Sequence, residues 1–211
     1  MARWSSEHLV AAARRTGVSD PALLEALRVV HRSAFVPPEY ADAANEDRPV
    51  PIPHGQVTTQ PSLSAGMIEA LRLTGTERVL EIGTGYGYQT ALLSRLAYLV
   101  TSVERWPDLA ARARENLAAE DVTNVEVVVG DGTEGAADSA PYEAVLVSAA
   151  YPEVPPPLVE QMRPGGRLVQ PIGPGGAEEV TVFRRTPEGL DAGRPVIPAR
   201  FVRLRGHFGY R

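Results

Sequence analysis

An α/β fold with a mostly parallel sheet, an antiparallel edge and a helical N-terminal cap is what this sequence predicts, on three observations. The first is the run Val79-Leu80-Glu81-Ile82, which empties into Gly83-Thr84-Gly85-Tyr86-Gly87 and reads as a buried strand ending in a glycine-rich turn. The second is the regular alternation of strand-like and helix-like segments after that turn, the signature of a parallel sheet covered on both faces. The third is the character of residues 1–75, which read as short helices and irregular chain without repeats. At 211 residues, 44% hydrophobic and 22% charged, the chain has the size and composition of one soluble core. The expected organisation is a cap and loop over 1–75 packed on a core over 76–211, as one compact unit.

Each element has its own signal. Ser5 or Ser6 can cap a first helix running to about residue 15, and Asp20-Pro21 pairs an N-cap with proline at the first helical position of a second, to about residue 31. Leu23, Leu24, Leu27 and Val30 give that helix one apolar face. Prolines at 37, 38, 49, 51, 53 and 61 argue against regular structure, so residues 36–61 are expected as an extended surface loop. Leu63, Met67, Ile68 and Leu71 then mark a helix leading into the first core strand. Core strands are expected at 79–82, 99–104, 125–129, 144–148 and 167–171, with helices at 89–99 and 107–119. Arg163-Pro164-Gly165-Gly166-Arg167 reads as a tight turn, as does Gly173-Pro174-Gly175-Gly176. Residues 179–184 alternate like an antiparallel strand that 197–205 could pair with.

The glycine turn carries the chemistry. Gly83, Gly85 and Gly87 let the backbone bend tightly and approach a ligand, with the N-terminus of the next helix aimed at it. A dinucleotide site wants G-x-G-x-x-G, but Tyr88 stands at the third glycine position, and E-x-G-x-G-x-G is instead the pattern of a Rossmann-like S-adenosylmethionine-dependent methyltransferase fold. A dehydrogenase is disfavoured accordingly. Glu104 ends the second strand 21 residues after Gly83, where a carboxylate can accept both ribose hydroxyls; the plain alternative is a solvated strand-end acid. Asp131, followed by Gly132, closes the third strand and could accept from the adenine amino group, or be an ordinary turn aspartate. Glu81 lies inside a strand, where an acid needs partners; it could hold the cationic methionine end, directly or through water, or serve the turn structurally. Tyr86 and Tyr88 could flank the cofactor or simply pack.

Composition narrows the rest. There are no cysteines, and His8, His31, His54 and His207 are scattered, so no thiolate nucleophile and no metal site are expected. A net charge of -5 without a basic stripe makes nucleic acid an unexpected partner. The start of the chain has no signal-peptide stretch and no apolar run approaches a membrane span, so a cytoplasmic, monomeric protein away from membranes is expected. Without an evident base or metal, an acceptor already ionised at pH 7 suits the site, and a carboxylate qualifies.

Several further segments occur in order: Phe35-Val36-Pro37, Glu46-Asp47-Arg48-Pro49-Val50-Pro51-Ile52, His54-Gly55-Gln56-Val57-Thr58-Thr59-Gln60-Pro61, Asn124-Val125, Gly130-Asp131-Gly132, Ser148-Ala149-Ala150, and Arg163 to Val169 with Pro171-Ile172-Gly173. Together with the glycine turn they closely resemble the protein-L-isoaspartate (D-aspartate) O-methyltransferases, from residue 21 to residue 204. The resemblance implies methyl transfer from S-adenosyl-L-methionine, leaving S-adenosyl-L-homocysteine, to the free carboxylate of isoaspartyl and possibly D-aspartyl residues in damaged proteins and peptides. It implies Thr59 as the catalytic hydroxyl, where the family commonly has serine. Glu81, Gly83, Gly85, Gly87, Glu104, Asp131 and Gly132 would bind the cofactor, and Thr58, Gln60, Ala149, Ala150 and Val202 the substrate. The sequence departs from the family at Arg203, where proline is usual, and over Ser62 to Met67, which is richer in hydroxyls. Two other readings stay open: a carboxyl methyltransferase modifying aspartate in one dedicated peptide, and a non-catalytic cofactor-binding module.

Overall fold

The computed structural model describes residues 5–174 and 176–211; residues 1–4, and Gly175 of the turn expected at 173–176, lie outside the description. In chain order the elements are α1 (Ser6–Arg15), α2 (Pro21–Val29), β1 (Val50–Ile52), β2 (Gln56–Thr58), α3 (Pro61–Leu71), β3 (Arg78–Ile82), α4 (Tyr88–Ser94), β4 (Leu99–Glu104), α5 (Pro107–Ala119), β5 (Val125–Val129), β6 (Tyr142–Val147), α6 (Pro156–Glu160), β7 (Met162–Ile172), β8 (Glu178–Thr186), β9 (Gly189–Leu190) and β10 (Arg194–Ala199). The main sheet has the order β10-β8-β7-β6-β3-β4-β5, with β9 paired to β8. Pairs from β7 to β5 are parallel, whereas β7/β8 and β8/β10 are antiparallel.

Alternation along the strands sorts side chains onto two faces. Val79, Val100, Ala144, Leu146 and Val169 join one cluster with side chains of α1 to α5. Leu80, Val103, Val145, Val147 and Leu168 join another, to which α6 adds Leu158. Coverage is therefore unequal. Five helices cover the first face; the second has the five-residue α6 and two single 3-10 turns, Gly132–Glu134 and Ala137–Ser139. Within the first cluster Leu9, Leu23, Leu27, Met67, Ile68 and Leu71 are all essentially inaccessible. At about 1.5–3 kcal/mol for each such side chain, the cap cannot lift from the sheet without a loss comparable to the stability of a whole domain.

Local chemistry sets the boundaries. The Asp20 carboxylate accepts from the amides of Ala22 (2.8 Å) and Leu23 (3.3 Å) and starts α2; Arg72 in the left-handed region stops α3. Residues 36–61 differ from the expected extended loop: they contain a 3-10 helix, Pro38–Ala43, and the β1/β2 hairpin. A two-stranded ribbon has only edges, so Pro51 can sit in β1 without breaking a central ladder. The expected helix over 89–99 ends at Ser94, and residues 163–166 bulge within β7 instead of preceding it. The last strand stops at Ala199, because the chain then leaves the sheet to pair Arg203 with Ala150.

Candidate functional site

At the carboxyl ends of β3, β4 and β5, beside the switch in strand order between β3 and β6, lies a cavity of about 900 Å³ including its mouth. Gly83, Gly85 and Gly87 line it with φ of 96°, 57° and 94°, left-handed values at which a side chain would be strained. Asn116 of α5 steadies the turn by donating to the Tyr86 carbonyl at 3.0 Å. Glu104 lines the same wall. One of its oxygens accepts from the Gly85 amide (2.9 Å), the other from the Trp106 amide (3.0 Å). Burial pushes its pKa up, and these amides pull the other way.

Glu81 lies outside the cavity lining, fully buried beneath the turn. It accepts from Gln89 (3.0 Å), Thr90 (2.5 Å) and Ser102 (2.7 Å). Burial raises its pKa against the pull of those donors. The geometry makes it a brace between β3, β4 and α4 rather than a direct ligand, because its oxygens are already engaged. Asp131 stands beside Gly132 at the end of β5. It accepts from the amide and hydroxyl of Thr133 (2.9 and 2.7 Å) and from the His207 amide (2.6 Å). Burial opposes ionisation there, but those donors outweigh it and hold the carboxyl below its usual range.

The hairpin β1/β2 crosses the cavity as a strap, and Arg32 sets its path. Its buried guanidinium donates to the carbonyls of Ala44 (2.7 Å), Glu46 (2.9 Å) and Arg48 (2.8 Å), and to the Thr58 hydroxyl (3.1 Å). Burial lowers its pKa to about 10, which leaves it charged at neutral pH. Thr58 also accepts from the Val50 amide (3.1 Å), and the Gln60 amide donates to Asp47 (2.9 Å) and Ser62 (3.1 Å). Both side chains assigned to substrate from the sequence are thus tied into the strap. Thr59 between them is not: no hydrogen bond to another described residue engages its hydroxyl. At the strap's tip His54 stacks on Trp106 (centroids 3.9 Å apart, planes 4° apart) and meets Asp108 at 2.9 Å.

On the other side runs a C-terminal strap. The Ala150 amide donates to the Val202 carbonyl (2.7 Å), and the Leu204 amide to the Ala150 carbonyl (2.8 Å). Ala150 is inaccessible and anchors this strap through its backbone, while Ala149 and Val202 line the cavity. An open groove bounded by 196–202 and the strap meets the cavity, and Val57, Thr59, Ser148 and Val202 line both.

Two ends of the cavity therefore differ in chemistry: an acceptor-rich wall at Glu104 with Asp131 nearby, and a hydroxyl-bearing junction at Thr59. Three buried polar atoms of its lining lack partners: Trp106 Nε1, Tyr88 Oη and Gln89 Oε1. Unpartnered groups of this kind and a carboxylate at the second strand end suit a ribonucleoside with polar substituents. The arrangement and the fold define a Rossmann-like S-adenosylmethionine-dependent methyltransferase. Residues 4–208 match the family model described as Protein-L-isoaspartate(D-aspartate) O-methyltransferase, and the chain belongs to that family.

Relatives agree. The Protein-L-isoaspartate O-methyltransferase of Methanoculleus marisnigri is 49% identical over 94% of this chain and 90% of its own, and Protein-L-isoaspartate O-methyltransferase 1 of an Anaeromyxobacter species is 47% identical over 99% and 100%. A solved protein-L-isoaspartate O-methyltransferase superposes with a TM-score of 0.84 at 30% identity, covering 97% of this chain and 67% of that one. A Plasmodium falciparum structure described as a putative member, in complex with S-adenosyl-L-homocysteine, gives 0.80 at 20% identity over 96% and 99%, a likeness of fold.

Trp106, Gln89, Ser148 and Arg105 line the cavity without having been assigned a role from sequence. Trp106 and Arg105 had a signal, since they directly follow the strand-end acid. Ser148 and Gln89 had none, because their contact (2.7 Å) joins residues 59 positions apart. Among the described residues no group of His, Asp or Glu is placed to hold a metal, and no helix is long and apolar enough to cross a membrane.

Proposed function

We propose that this chain methylates the free α-carboxylate of L-isoaspartyl, and also D-aspartyl, residues in damaged peptides and proteins, starting their repair through a succinimide. The observation that carries the reading is Thr59, an unengaged hydroxyl where the enclosed cavity meets an open groove. When bound, S-adenosylmethionine supplies a methyl group on a sulfonium. Glu104 accepts from the ribose hydroxyls, Asp131 from the adenine amino group, and the backbone of Gly83, Gly85, Gly87 and Gly132 lets the ligand approach closely. Glu81 acts through Gln89, Thr90 and Ser102, which fix the turn. Thr59 donates to one oxygen of the acceptor carboxylate and turns the other toward the cavity. No base is required, because the acceptor is ionised at neutral pH. Alignment and partial desolvation do the work, worth up to roughly 7–11 kcal/mol in well-oriented model reactions.

Ala149 and Val202 present small or apolar surface to the acceptor, while Thr58, Gln60 and Ala150 hold the two straps that frame it. The same reading takes the chain as a cytoplasmic monomer acting on peptides rather than nucleic acid or membranes, supported by its acidic net charge. The direct test is methyl incorporation into an isoaspartyl peptide against its ordinary aspartyl counterpart. Incorporation into the isoaspartyl form well above the control is expected; equal labelling of both, or none, defeats the proposal.

A further inference from the structure

We infer that the reactive groove selects acceptors flanked by acidic residues, through Arg200 and Arg203. This rests on the carboxyl-methylating activity proposed above and names its substrate class.

The charged residues around the reaction site are nearly all of one sign. Arg105, Arg203 and Arg205 line the cavity, and Arg200 is the one charged residue lining the groove. The only carboxylate lining either is Glu104, which is buried and already accepts two backbone amides. It cannot reach out to neutralise arginines at the rim. Arg205 donates to the Arg211 carbonyl oxygen at 2.5 Å, and Arg105 lies over Trp106 beside Glu104. Arg200 and Arg203 are exposed, and neither pairs with a carboxylate among the described residues.

Arg203 is also held in place. Its guanidinium carbon lies 5.0 Å from the centre of the Tyr210 ring. That ring is fixed by a hydroxyl bond to the Pro174 carbonyl (2.8 Å) and an edge contact with Tyr151 (centroids 5.1 Å apart). The backbone on either side of Arg203 is pinned by the Ala150 amide and carbonyl. Arg200 precedes Phe201, whose amide donates to the buried Glu178 at 2.9 Å. A cation on a fixed strap loses less freedom on binding than one on a mobile loop. The whole chain carries a net charge of -5, so its average surface repels acidic peptides. Two unpaired guanidinium groups at the rim reverse that locally, one along the groove and one at the cavity mouth next to Val202.

The test uses three isoaspartyl peptides of equal length whose flanking residues are glutamate, alanine or lysine. Methylation rates are measured at low and high salt, and binding to the full chain with S-adenosylhomocysteine present is followed by fluorescence anisotropy. The expected order of kcat/KM and of affinity is acidic, neutral, basic, with the acidic peptide favoured by roughly 5- to 20-fold at low salt and the advantage shrinking as salt rises. In the double variant Arg200→Ser, Arg203→Ser the acidic-to-neutral ratio falls to about 2 or less, whereas Arg203→Lys retains most of it. A neutral or basic peptide doing as well as the acidic one overturns the inference, as does a double variant that keeps the ratio while melting normally. Failure of every peptide to accept methyl refutes the proposed activity instead, and the anisotropy ranking then decides the acidic preference alone. Displacement of the acidic peptide by a single-stranded oligonucleotide below the peptide's own Kd also overturns it, because the arginines would then belong to a polyphosphate.

Discussion

Two cavities flank the antiparallel edge of the sheet, and their contrast shows what distinguishes a reactive site from a mere depression. The front one, under the straps, has about 900 Å³; the rear one, between α6 and the β8–β10 ribbon, has about 1460 Å³. Size thus favours the rear. It exists because α6 is too short to cover β8, whose Glu179, Thr181, Phe183 and Arg185 face it in alternation. Its polar groups are accounted for, however. Glu153, Glu160, Glu179 and Glu188 stand in solvent, and Arg185 donates to the carbonyls of Thr186 (2.8 Å) and Gly189 (2.9 Å). In front, buried polar atoms are left without partners and the Thr59 hydroxyl is unengaged. Unmet hydrogen-bonding capacity, not volume, marks the place where a ligand completes the structure.

That contrast can be broken at several points. The largest effect is expected for Glu104→Ala, which removes the acceptor for the ribose hydroxyls and strips two amides of their partner. Donor affinity should fall by about 100-fold or more by calorimetry, since hydrogen bonds to charged groups contribute about 1.5–3 kcal/mol each. Thr59→Val comes next, with kcat lowered about 10-fold and donor affinity little changed. Full turnover in that variant removes the hydroxyl from the mechanism.

Two pH profiles sharpen the comparison. The folded pKa of Asp131 lies below its unfolded value, so its stabilisation is present above about 3.8 and is lost as pH falls through the folded value. Melting midpoints of wild type and Asp131→Asn should therefore converge in acid. Glu81 has the opposite sign. Its raised folded pKa means a contribution that is full below about 4.5 and lost as pH rises through the folded value. Relative to Glu81→Gln, wild type should lose stability with rising pH; a constant difference would show that the buried carboxyl titrates as in the unfolded chain. The smallest effect belongs to the rear. Glu153→Lys and Glu188→Lys should shift stability by no more than about 0.5 kcal/mol and leave donor affinity and kcat unaltered.

What could be read from the sequence followed the range over which each signal acts. The glycine turn, the strand-end Glu104, the cap at Asp20 and the alternation of β3 to β7 are local patterns, and their positions were legible to within a few residues. The hairpin in residues 50–58 was obscured because its prolines argue against strands, and what overrides them is a guanidinium 18 residues before Val50. Glu81 could be seen to need partners, but Thr90 and Ser102 could not be named, since the fold alone brings them together. The roles of Thr58, Gln60 and Ala150 looked like substrate contacts because they neighbour Thr59 and Ala149; hydrogen bonds to distant backbone and side chains turn them into anchors. Thin rear coverage was also hidden, because a five-residue helix leaves almost no periodic trace.

Arg32 recognises the crossing segment only by its main chain at Ala44, Glu46 and Arg48. Every amino acid carries the same carbonyl, so residues there can be exchanged without diverting the route that delivers Thr59. Variation in acceptor preference can therefore accumulate along that stretch at small structural cost, whereas loss of the one cation 27 positions upstream would release the whole span together.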